Sequence, residues 1–222
     1  MNGFNLAGKT DLGQKRKRNE DAILVSREQG VCAVADGIGG MAAGHIASRL
    51  FTTTVEQFFA TAPPGEDEKY ELVQKAFLKA NSSILEYAKD NPGCEGMGCT
   101  AELLVLSGSR FILGHIGDSR TYRLRNGEFK QLTTDHSLVQ EQLDQGLITR
   151  EEADHHSFKN VILRAVGIKK NPALDVLRGN LFPGDIFLLC SDGLTDMVPD
   201  DVIKMHLSSK DSLPEKANRL VL

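Results

Sequence analysis

Four short acidic segments of the chain have residue types that can bind a hard metal cation. The segments are Asn19-Glu20-Asp21, Asp36-Gly37-Ile38-Gly39-Gly40, Gly117-Asp118-Ser119 and Ser191-Asp192-Gly193. Three of them come at the ends of apolar stretches that have the composition of strands. An aspartate at a strand end can project into a cleft, and an adjacent glycine lets backbone carbonyls approach a bound ion. These segments are therefore candidate metal ligands.

The ligand types in these segments favour particular metals. Mg²⁺ and Mn²⁺ prefer oxygen ligands, and two or more aspartates with retained waters can hold a pair of such ions. The segments are poor in histidine and cysteine, which argues against zinc. A single Asp-Gly is more often an ordinary turn. Four acidic segments in one chain, three of them at the ends of apolar stretches, are a combination that independent turns seldom produce, so the metal hypothesis is favoured.

The spacing of apolar residues predicts the elements that must position these carboxylates. The predicted strands are 21–27, 31–35, 100–106, 110–116, 121–125, 174–178 and 186–190. The predicted helices are 42–60, 73–88, a polar helical segment 136–156, 200–207, and a last helix from 213 onward. Asn126-Gly127 predicts a hairpin turn, and Pro63-Pro64-Gly65 separates the first two helices. The central strands are expected to form an antiparallel meander.

Composition and charge restrict the classes of partner. The 222 residues carry a net charge of −4, and the pI is about 5.9. No global basic field favours nucleic acid or an anionic membrane. The basic run Lys15-Arg16-Lys17-Arg18 is short and is followed at once by acidic residues. We expect a single domain over residues 1–222 that binds neither nucleic acid nor membrane.

Cysteines and the N-terminus indicate the compartment. Cys32, Cys94, Cys99 and Cys190 form no Cys-x-x-Cys pair, so free thiols in a reducing compartment are expected. A Cys94–Cys99 disulfide or shared metal remains an alternative. The first ten residues lack the features of a signal peptide, and no stretch has the length of a membrane span. A cytoplasmic protein is predicted.

The motifs resemble those of the metal-dependent PPM (PP2C-type) protein phosphatases of bacteria. The stretches that carry the resemblance are Gly13-Gln14-Lys15-Arg16-Lys17-Arg18-Asn19-Glu20-Asp21, Val34-Ala35-Asp36-Gly37-Ile38-Gly39-Gly40, Gly117-Asp118-Ser119-Arg120, Leu132-Thr133-Thr134-Asp135-His136-Ser137 and Leu189-Cys190-Ser191-Asp192-Gly193-Leu194-Thr195-Asp196. Their order and spacing agree with the family from about residue 8 to the end. The resemblance implies an α+β fold, a four-layer αββα sandwich of two antiparallel sheets flanked by helices. It also implies a flap near the active site at about 136–167.

The resemblance further implies an activity and its metals. Members of the family hydrolyse phosphoserine and phosphothreonine on proteins, with a metal-bridging water as the nucleophile and two core Mn²⁺ or Mg²⁺ ions. By similarity, Asp36 bridges the two ions, the Gly37 carbonyl completes one of them, and Asp192 binds the first. Asp118, with Asp192, matches the site of a weaker third ion in bacterial relatives.

Three residues near the N-terminus complete the site that the resemblance implies. Glu20 and Asp21 match positions that bind mostly through metal-bound waters. Arg16 matches the arginine that grips the substrate phosphate, a role for which its planar fork is better suited than a lysine. The implied partners are phosphoproteins made by a serine/threonine kinase, and a monomer is expected. Signal transduction is the implied context.

One part of the family pattern has no counterpart in this sequence. Family members continue with a Gly-Gly-x-Asp-Asn motif and a last strand, whereas this sequence ends at Leu222. One metal ligand and one strand are therefore expected to be absent, with weaker binding of the first metal and an open sheet edge. Two alternatives stay open: a catalytically impaired module that binds phosphoproteins, and a phosphoesterase that acts on small molecules.

Overall fold

The computed structural model describes residues 3–38, 43–61 and 69–221 of the chain. The strands are β1 (Asp21–Ser26), β2 (Val31–Ile38), β3 (Gly98–Cys99), β4 (Ala101–Ser107), β5 (Arg110–Ile116), β6 (Arg120–Arg125), β7 (Glu128–Gln131), β8 (Asp175–Asn180) and β9 (Ile186–Cys190). The helices are α1 (Gly44–Ala60), α2 (Lys69–Asp90), α3 (Leu138–Asp144), α4 (Arg150–Asp154), α5 (Asp192–Thr195), α6 (Asp200–Ser208) and α7 (Leu213–Val221). Each of the seven predicted strands is confirmed, and β3 and β7 are additional.

Two antiparallel sheets form the centre of the molecule. The larger has the order β1-β2-β4-β5-β8, with β3 paired to the end of β2, and the smaller has the order β7-β6-β9. Asn126 and Gly127 both have positive φ, +50° and +80°, at the turn between β6 and β7. This is the hairpin turn that the Asn-Gly pair predicts, since both positions of such a turn need positive φ.

Helices α1 and α2 cover the outer face of the larger sheet. In α1, Ala47, Phe51, Val55 and Phe59 recur every four residues and are all buried, which is the apolar stripe that predicts a helix packed on one side. Phe51 also meets Phe77 of α2 edge to face, with ring centroids 5.2 Å apart. A Cβ on Gly114 of β5 would lie 2.5 Å from the Phe77 ring, so α2 packs directly onto this strand.

Apolar side chains also fill the space between the two sheets and the space outside the smaller one. Leu104, Leu106 and Leu113 of the larger sheet pack with Phe187 and Leu189 of β9. Outside the smaller sheet, a separate cluster joins β6 to α6 and α7; its buried members are Leu124, Ile203, Leu207 and Leu220. The layers therefore run helix, sheet, sheet, helix, and the predicted αββα sandwich is confirmed.

The segment 136–167, which we call the excursion, lies in the chain between β7 of the smaller sheet and β8 of the larger sheet. The polar region predicted as helical contains two short helices, α3 and α4, rather than one. Gly146 has φ +67° just after α3, and Thr149 then caps α4 through a reciprocal capping box with Glu152. Isolated bridges tie the two ends of the excursion to the body, Ser137 to Ile162 and Cys99 to Val166.

Several predictions concern residues whose structure is not described. Gly39, Gly40, Ala42 and the Pro63-Pro64-Gly65 break lie outside the described ranges.

The four cysteines are free thiols, so the alternative of a Cys94–Cys99 disulfide is wrong. Among the described helices, none is both long enough and apolar enough to cross a bilayer.

Candidate metal centre

The first two aspartates come together through the pairing of β1 and β2. Asp21 begins β1 and Asp36 lies near the end of β2, and the antiparallel register places them directly opposite each other. The Gly37 amide donates to the Glu20 carbonyl at 3.1 Å, which extends the pairing past the ladder. Two carboxylates predicted from separate motifs therefore share one end of the larger sheet.

The other two aspartates reach the same end from the smaller sheet. Asp118 lies between β5 and β6, and Asp192 begins α5 directly after β9. Because Arg120 pairs with Cys190 in the β6–β9 ladder, the start of β6 and the end of β9 are neighbours. The Ser191 hydroxyl donates to Asp21 Oδ2 at 2.8 Å, so a direct hydrogen bond joins the two sheets at the site.

Buried hydroxyl groups hold the backbone of Asp36 in place. The Asp36 amide donates to Thr100 Oγ1 at 2.9 Å, and the Thr100 amide donates to the Asp36 carbonyl at 2.8 Å. Thr100 Oγ1 also lies 2.7 Å from Ser119 Oγ, next to Asp118. The sequence does not reveal the role of Thr100, which lies between β3 and β4, because a single hydroxyl residue has no distinctive spacing. Ser119 and Ser191 both lie inside the acidic segments, but their hydroxyl groups were not predicted to support the site.

Gly37 is required by a very close backbone contact. A Cβ on this residue would lie 2.2 Å from the carbonyl carbon of Gly44, the first residue of α1. Any larger side chain would push β2 away from the helix. The carbonyl predicted to complete a metal site therefore belongs to a backbone segment that is pinned from one side by α1 and from the other by the Glu20 carbonyl.

The four carboxyl groups repel one another strongly. Burial raises the pKa of Asp36 to about 9, with further contributions from the charges of Asp21, Asp192 and Asp118. Burial and the neighbouring Asp192 raise the pKa of Asp118 to about 7. Burial also raises the pKa of Asp21, although the Ser191 hydrogen bond opposes this rise. Such a cluster is stable in its ionised form only if cations neutralise it.

The arrangement of the carboxyl groups suits Mn²⁺ or Mg²⁺ ions that keep some of their bound waters. It does not suit a metal whose ligands all come from the protein. Over residues 3–38, 43–61 and 69–221, no three His, Cys, Asp or Glu side chains are placed to hold one ion directly. The carboxyl groups instead meet in pairs, Asp36 with Asp21 and Asp36 with Asp192. Mg²⁺ keeps several of its waters and needs only one or two carboxylates from the protein, so pairwise contacts suit it.

Arg16 supplies positive charge beside this acidic cluster. Its side chain is exposed on the loop before β1, and its charge opposes the rise that burial causes in the pKa of Asp21. Arg16, Asp36 and Asp192 line the same cleft, of about 1280 Å³. Glu20 contributes its backbone, because its carbonyl accepts hydrogen bonds from the Gly37 amide and, at 2.6 Å, from the Ser48 hydroxyl. All the sequence-predicted site residues therefore lie at one end of the sandwich.

Comparisons with known proteins agree with this geometry. A family model described as protein phosphatase 2C matches residues 12–217. The serine/threonine phosphatase stp of Listeria innocua is 38% identical over 217 residues, which cover 95% of this chain and 85% of that protein. The crystal structure of the Mycobacterium tuberculosis serine/threonine phosphatase PstP/Ppp has 37% identity and a TM-score of 0.90, over 97% of this chain and 89% of that one.

A further solved structure contains metal. The catalytic domain of the serine/threonine protein phosphatase PstP in complex with two manganese ions has 36% identity and a TM-score of 0.87, over 97% of this chain and 88% of that one. The family model alone spans most of the chain. The acidic cluster, the fold and the relatives agree with this match. The chain belongs to the protein phosphatase 2C family.

Proposed function

We propose that this chain is a metal-dependent protein phosphatase that hydrolyses phosphoserine and phosphothreonine on other proteins. The observation that supports this proposal most strongly is the meeting of Asp21, Asp36, Asp118 and Asp192 at one end of the sandwich, beside an exposed arginine. The relatives of similar length are named serine/threonine phosphatases, and their substrate class suits a site that combines anionic metal ligands with a cationic phosphate ligand.

The residues divide into those that hold cations and those that hold phosphate. Asp36 and the Gly37 carbonyl would hold two core Mn²⁺ or Mg²⁺ ions, and Asp192 would complete the first. Asp118, with Asp192, would hold a weaker third ion, and Glu20 and Asp21 would accept hydrogen bonds from coordinated waters. When bound, the ions would lower the pKa of a water for attack on phosphorus and would neutralise charge on the phosphoryl oxygens.

Arg16 would orient the phosphate for that attack. Its planar guanidinium can donate to two phosphoryl oxygens at once, which fixes both the position and the rotation of the group. The exposed side chain can reach a phosphoamino acid at the surface of another protein without deep entry into the cleft. We expect the substrates to be products of a serine/threonine kinase, and we expect the chain to act as a monomer.

The direct test is phosphatase activity on a phosphothreonine peptide with Mn²⁺, Mg²⁺ or EDTA. We expect turnover with either metal, none with EDTA, and a fall in kcat of about 100-fold or more for Asp36→Asn. Lewis-acid stabilisation is worth several kcal/mol, and about 1.4 kcal/mol corresponds to a tenfold change in rate. Asp201→Asn is the matched control, because Asp201 is an exposed residue of α6.

The outcomes separate the proposal from its two alternatives. Turnover that requires metal and Asp36 supports the phosphatase. Folded protein that binds the phosphopeptide without turnover would indicate a phosphoprotein-binding module instead. Faster hydrolysis of nucleotides than of phosphopeptides would indicate a small-molecule phosphoesterase.

A further inference from the structure

His136 connects three parts of the molecule that meet beside the metal centre. It is 8% exposed and lies just before α3, at the beginning of the 136–167 excursion. Its amide donates to the Gly117 carbonyl at 2.7 Å, and the Gly117 amide donates back to His136 Nδ1 at 3.1 Å. The residue directly after Gly117 is Asp118. Two hydrogen bonds between His136 and Gly117 therefore fix the turn that carries Asp118.

This turn needs such external support because its backbone is intrinsically flexible. Gly117 has φ +113°, a conformation that other residues rarely adopt, and a Cβ there would lie 2.7 Å from the Thr100 side chain. Glycine loses more conformational freedom on ordering than any other residue. Position 117 therefore requires glycine, and hydrogen bonds from neighbouring residues hold its backbone in this conformation.

The other edge of the imidazole is held equally firmly. Nε2 lies 3.1 Å from Asp175 Oδ2 at the start of β8. Arg164, near the end of the excursion, donates to Asp175 Oδ1 at 3.1 Å, and the Leu163 amide donates to the His136 carbonyl at 2.8 Å. The ring also packs on His115 of β5, with centroids 4.4 Å apart. His136 is thus anchored to the larger sheet and to both ends of the excursion.

These contacts define the protonation of the ring. Since Nδ1 accepts from the Gly117 amide, it carries no proton, and Nε2 keeps its proton and donates to Asp175. Burial, together with the neighbouring His115, lowers the pKa of His136 to about 4. The neutral form that can accept from Gly117 is therefore the form present near neutral pH.

We propose that His136 is a positioning residue that fixes the Asp118 carboxylate by accepting a hydrogen bond from the Gly117 amide. The proposal rests on the proposed function in its assignment of Asp118 to a metal site. His136 itself touches neither the metal nor the substrate in this role. It acts through the backbone of the turn, and its ties to Arg164 and Leu163 make the geometry of Asp118 dependent on the excursion 136–167.

Two conservative substitutions separate the two edges of the ring. His136→Asn keeps an acceptor oxygen at the position of Nδ1 and so preserves the bond from Gly117. His136→Gln keeps a polar group at the position of Nε2 and so preserves the bond to Asp175. Both retain the backbone bond to the Gly117 carbonyl. His155→Asn is the control, because His155 is exposed in the same excursion.

The measurements are Mn²⁺ binding by calorimetry, amide hydrogen exchange at Gly117, Asp118 and Ser119, and kcat and KM on a phosphopeptide. We expect His136→Gln to weaken the weaker class of Mn²⁺ sites by about 10- to 100-fold, the usual effect of losing a residue that orients a ligand. The three amides should exchange faster. His136→Asn should stay within about threefold of wild type, and His155→Asn should be unchanged.

Other results would overturn the proposal. Equal Mn²⁺ affinity and equal exchange in the Asn and Gln variants would show that the Gly117 bond does not position Asp118. A larger loss in His136→Asn than in His136→Gln would assign the role to the Asp175 edge instead. Exchange at the three amides does not depend on turnover, so a wild-type chain without phosphatase activity would refute the proposed function while this comparison still tests His136.

Discussion

Among the four basic residues of the run 15–18, Arg16 is the one whose charge acts on the pKa of Asp21. It lines the cleft that contains Asp36 and Asp192, as do Lys15 and Arg18, whereas Lys17 lies outside that cleft. A phosphate ligand at this position must balance the negative charge of the substrate without competing for the metal ligands. The guanidinium is suited to this because it binds two oxygens in fixed geometry and carries its charge at every accessible pH.

We predict that Arg16→Lys lowers kcat/KM on a phosphopeptide by roughly 10- to 100-fold. Lysine keeps the charge but loses one of two charged hydrogen bonds, each worth about 1.5–3 kcal/mol. The Mn²⁺ concentration for half-maximal activity should not change. Steady-state kinetics across a Mn²⁺ series would measure both quantities, with Lys17→Ala as the control that should behave as wild type. Wild-type kcat/KM in Arg16→Lys would rule out the bidentate role.

Single residues also show how far the site can be predicted from sequence. The aspartates lie in acidic segments that composition alone makes candidate metal ligands, whereas the phosphate role of Arg16 is predicted only by the family resemblance. Thr100 and Ser48 support the site equally directly, but each is a single hydroxyl residue whose position in the sequence has no distinctive spacing. Their role depends on which strand or loop comes to lie opposite, and that is fixed only by the tertiary fold.

One ion pair, Arg125 with Asp185, joins the ends of strands from the two sheets. Arg125, the last residue of β6, donates to both carboxylate oxygens of Asp185 at 2.7 and 2.6 Å. It also donates to the Asn180 carbonyl at the end of β8, at 2.8 Å. One side chain therefore fastens the smaller sheet to the larger sheet and to the β8–β9 loop. The hydrogen bonds from Arg125 hold the pKa of Asp185 below its usual value.

We predict that the stabilising effect of Arg125 depends on pH. Because the folded-state pKa of Asp185 is lowered, its contribution is present above the unfolded value of about 4 and is lost as pH falls through the folded value. The difference in free energy of unfolding between wild type and Arg125→Met should therefore be larger at pH 7 than at pH 3. Urea unfolding at both pH values would measure it.

An exposed ion pair provides the control for this experiment. Lys75 and Glu71 form an i,i+4 pair on α2 with side chains 60% and 69% exposed, and such pairs contribute little. Lys75→Met should leave stability nearly unchanged at either pH. An Arg125→Met difference that is equal at pH 3 and pH 7 would mean that the packing of Arg125 on Phe182, 4.5 Å from its ring centroid, matters more than the charge.

Element type was easier to predict than element boundaries. The stripe in α1 and the apolar runs of the central strands are long enough for their periodicity to be unambiguous. Strand β7 was missed because Phe129 is its one apolar residue, and its partner β6 decides its conformation. The split between α3 and α4 was missed although the capping pair Thr149 and Glu152 is visible in the sequence, because the polar spacing continues across Gly146.

At the scale of the whole molecule, a buried polar cluster joins the two sheets. Glu102 of β4 and His115 of β5 are fully buried, lie opposite each other in the register and are in direct contact through Oε1 and Nδ1. Thr121 of β6, in the smaller sheet, donates to the other oxygen of Glu102. His115 Nε2 donates to the Thr134 carbonyl at 2.8 Å. Both faces of β4 are covered, so its sequence does not alternate between apolar and polar residues. The sequence therefore does not show that Glu102 points into the sandwich.

We predict that His115→Leu destabilises the protein by about 3–5 kcal/mol, since it leaves a buried carboxyl group without its charged partner. Burial raises the pKa of Glu102, and His115 opposes this rise. Without His115, the folded state should keep Glu102 protonated while the unfolded state ionises above about pH 4.5. The loss of stability should therefore be larger at pH 8 than at pH 5, as measured by urea unfolding at both values.

The double variant Glu102→Leu/His115→Leu tests whether the two residues act as a pair. Removal of both partners leaves no buried charge, so the double variant should be less destabilised than the sum of the single variants by about 0.5–3 kcal/mol. The stability of the double variant itself should no longer change between pH 5 and pH 8 through this pair, because both titrating groups are gone. Additive losses would mean that each side chain contributes mainly through its packing. This cluster would then join the two sheets mainly through the packing of its side chains.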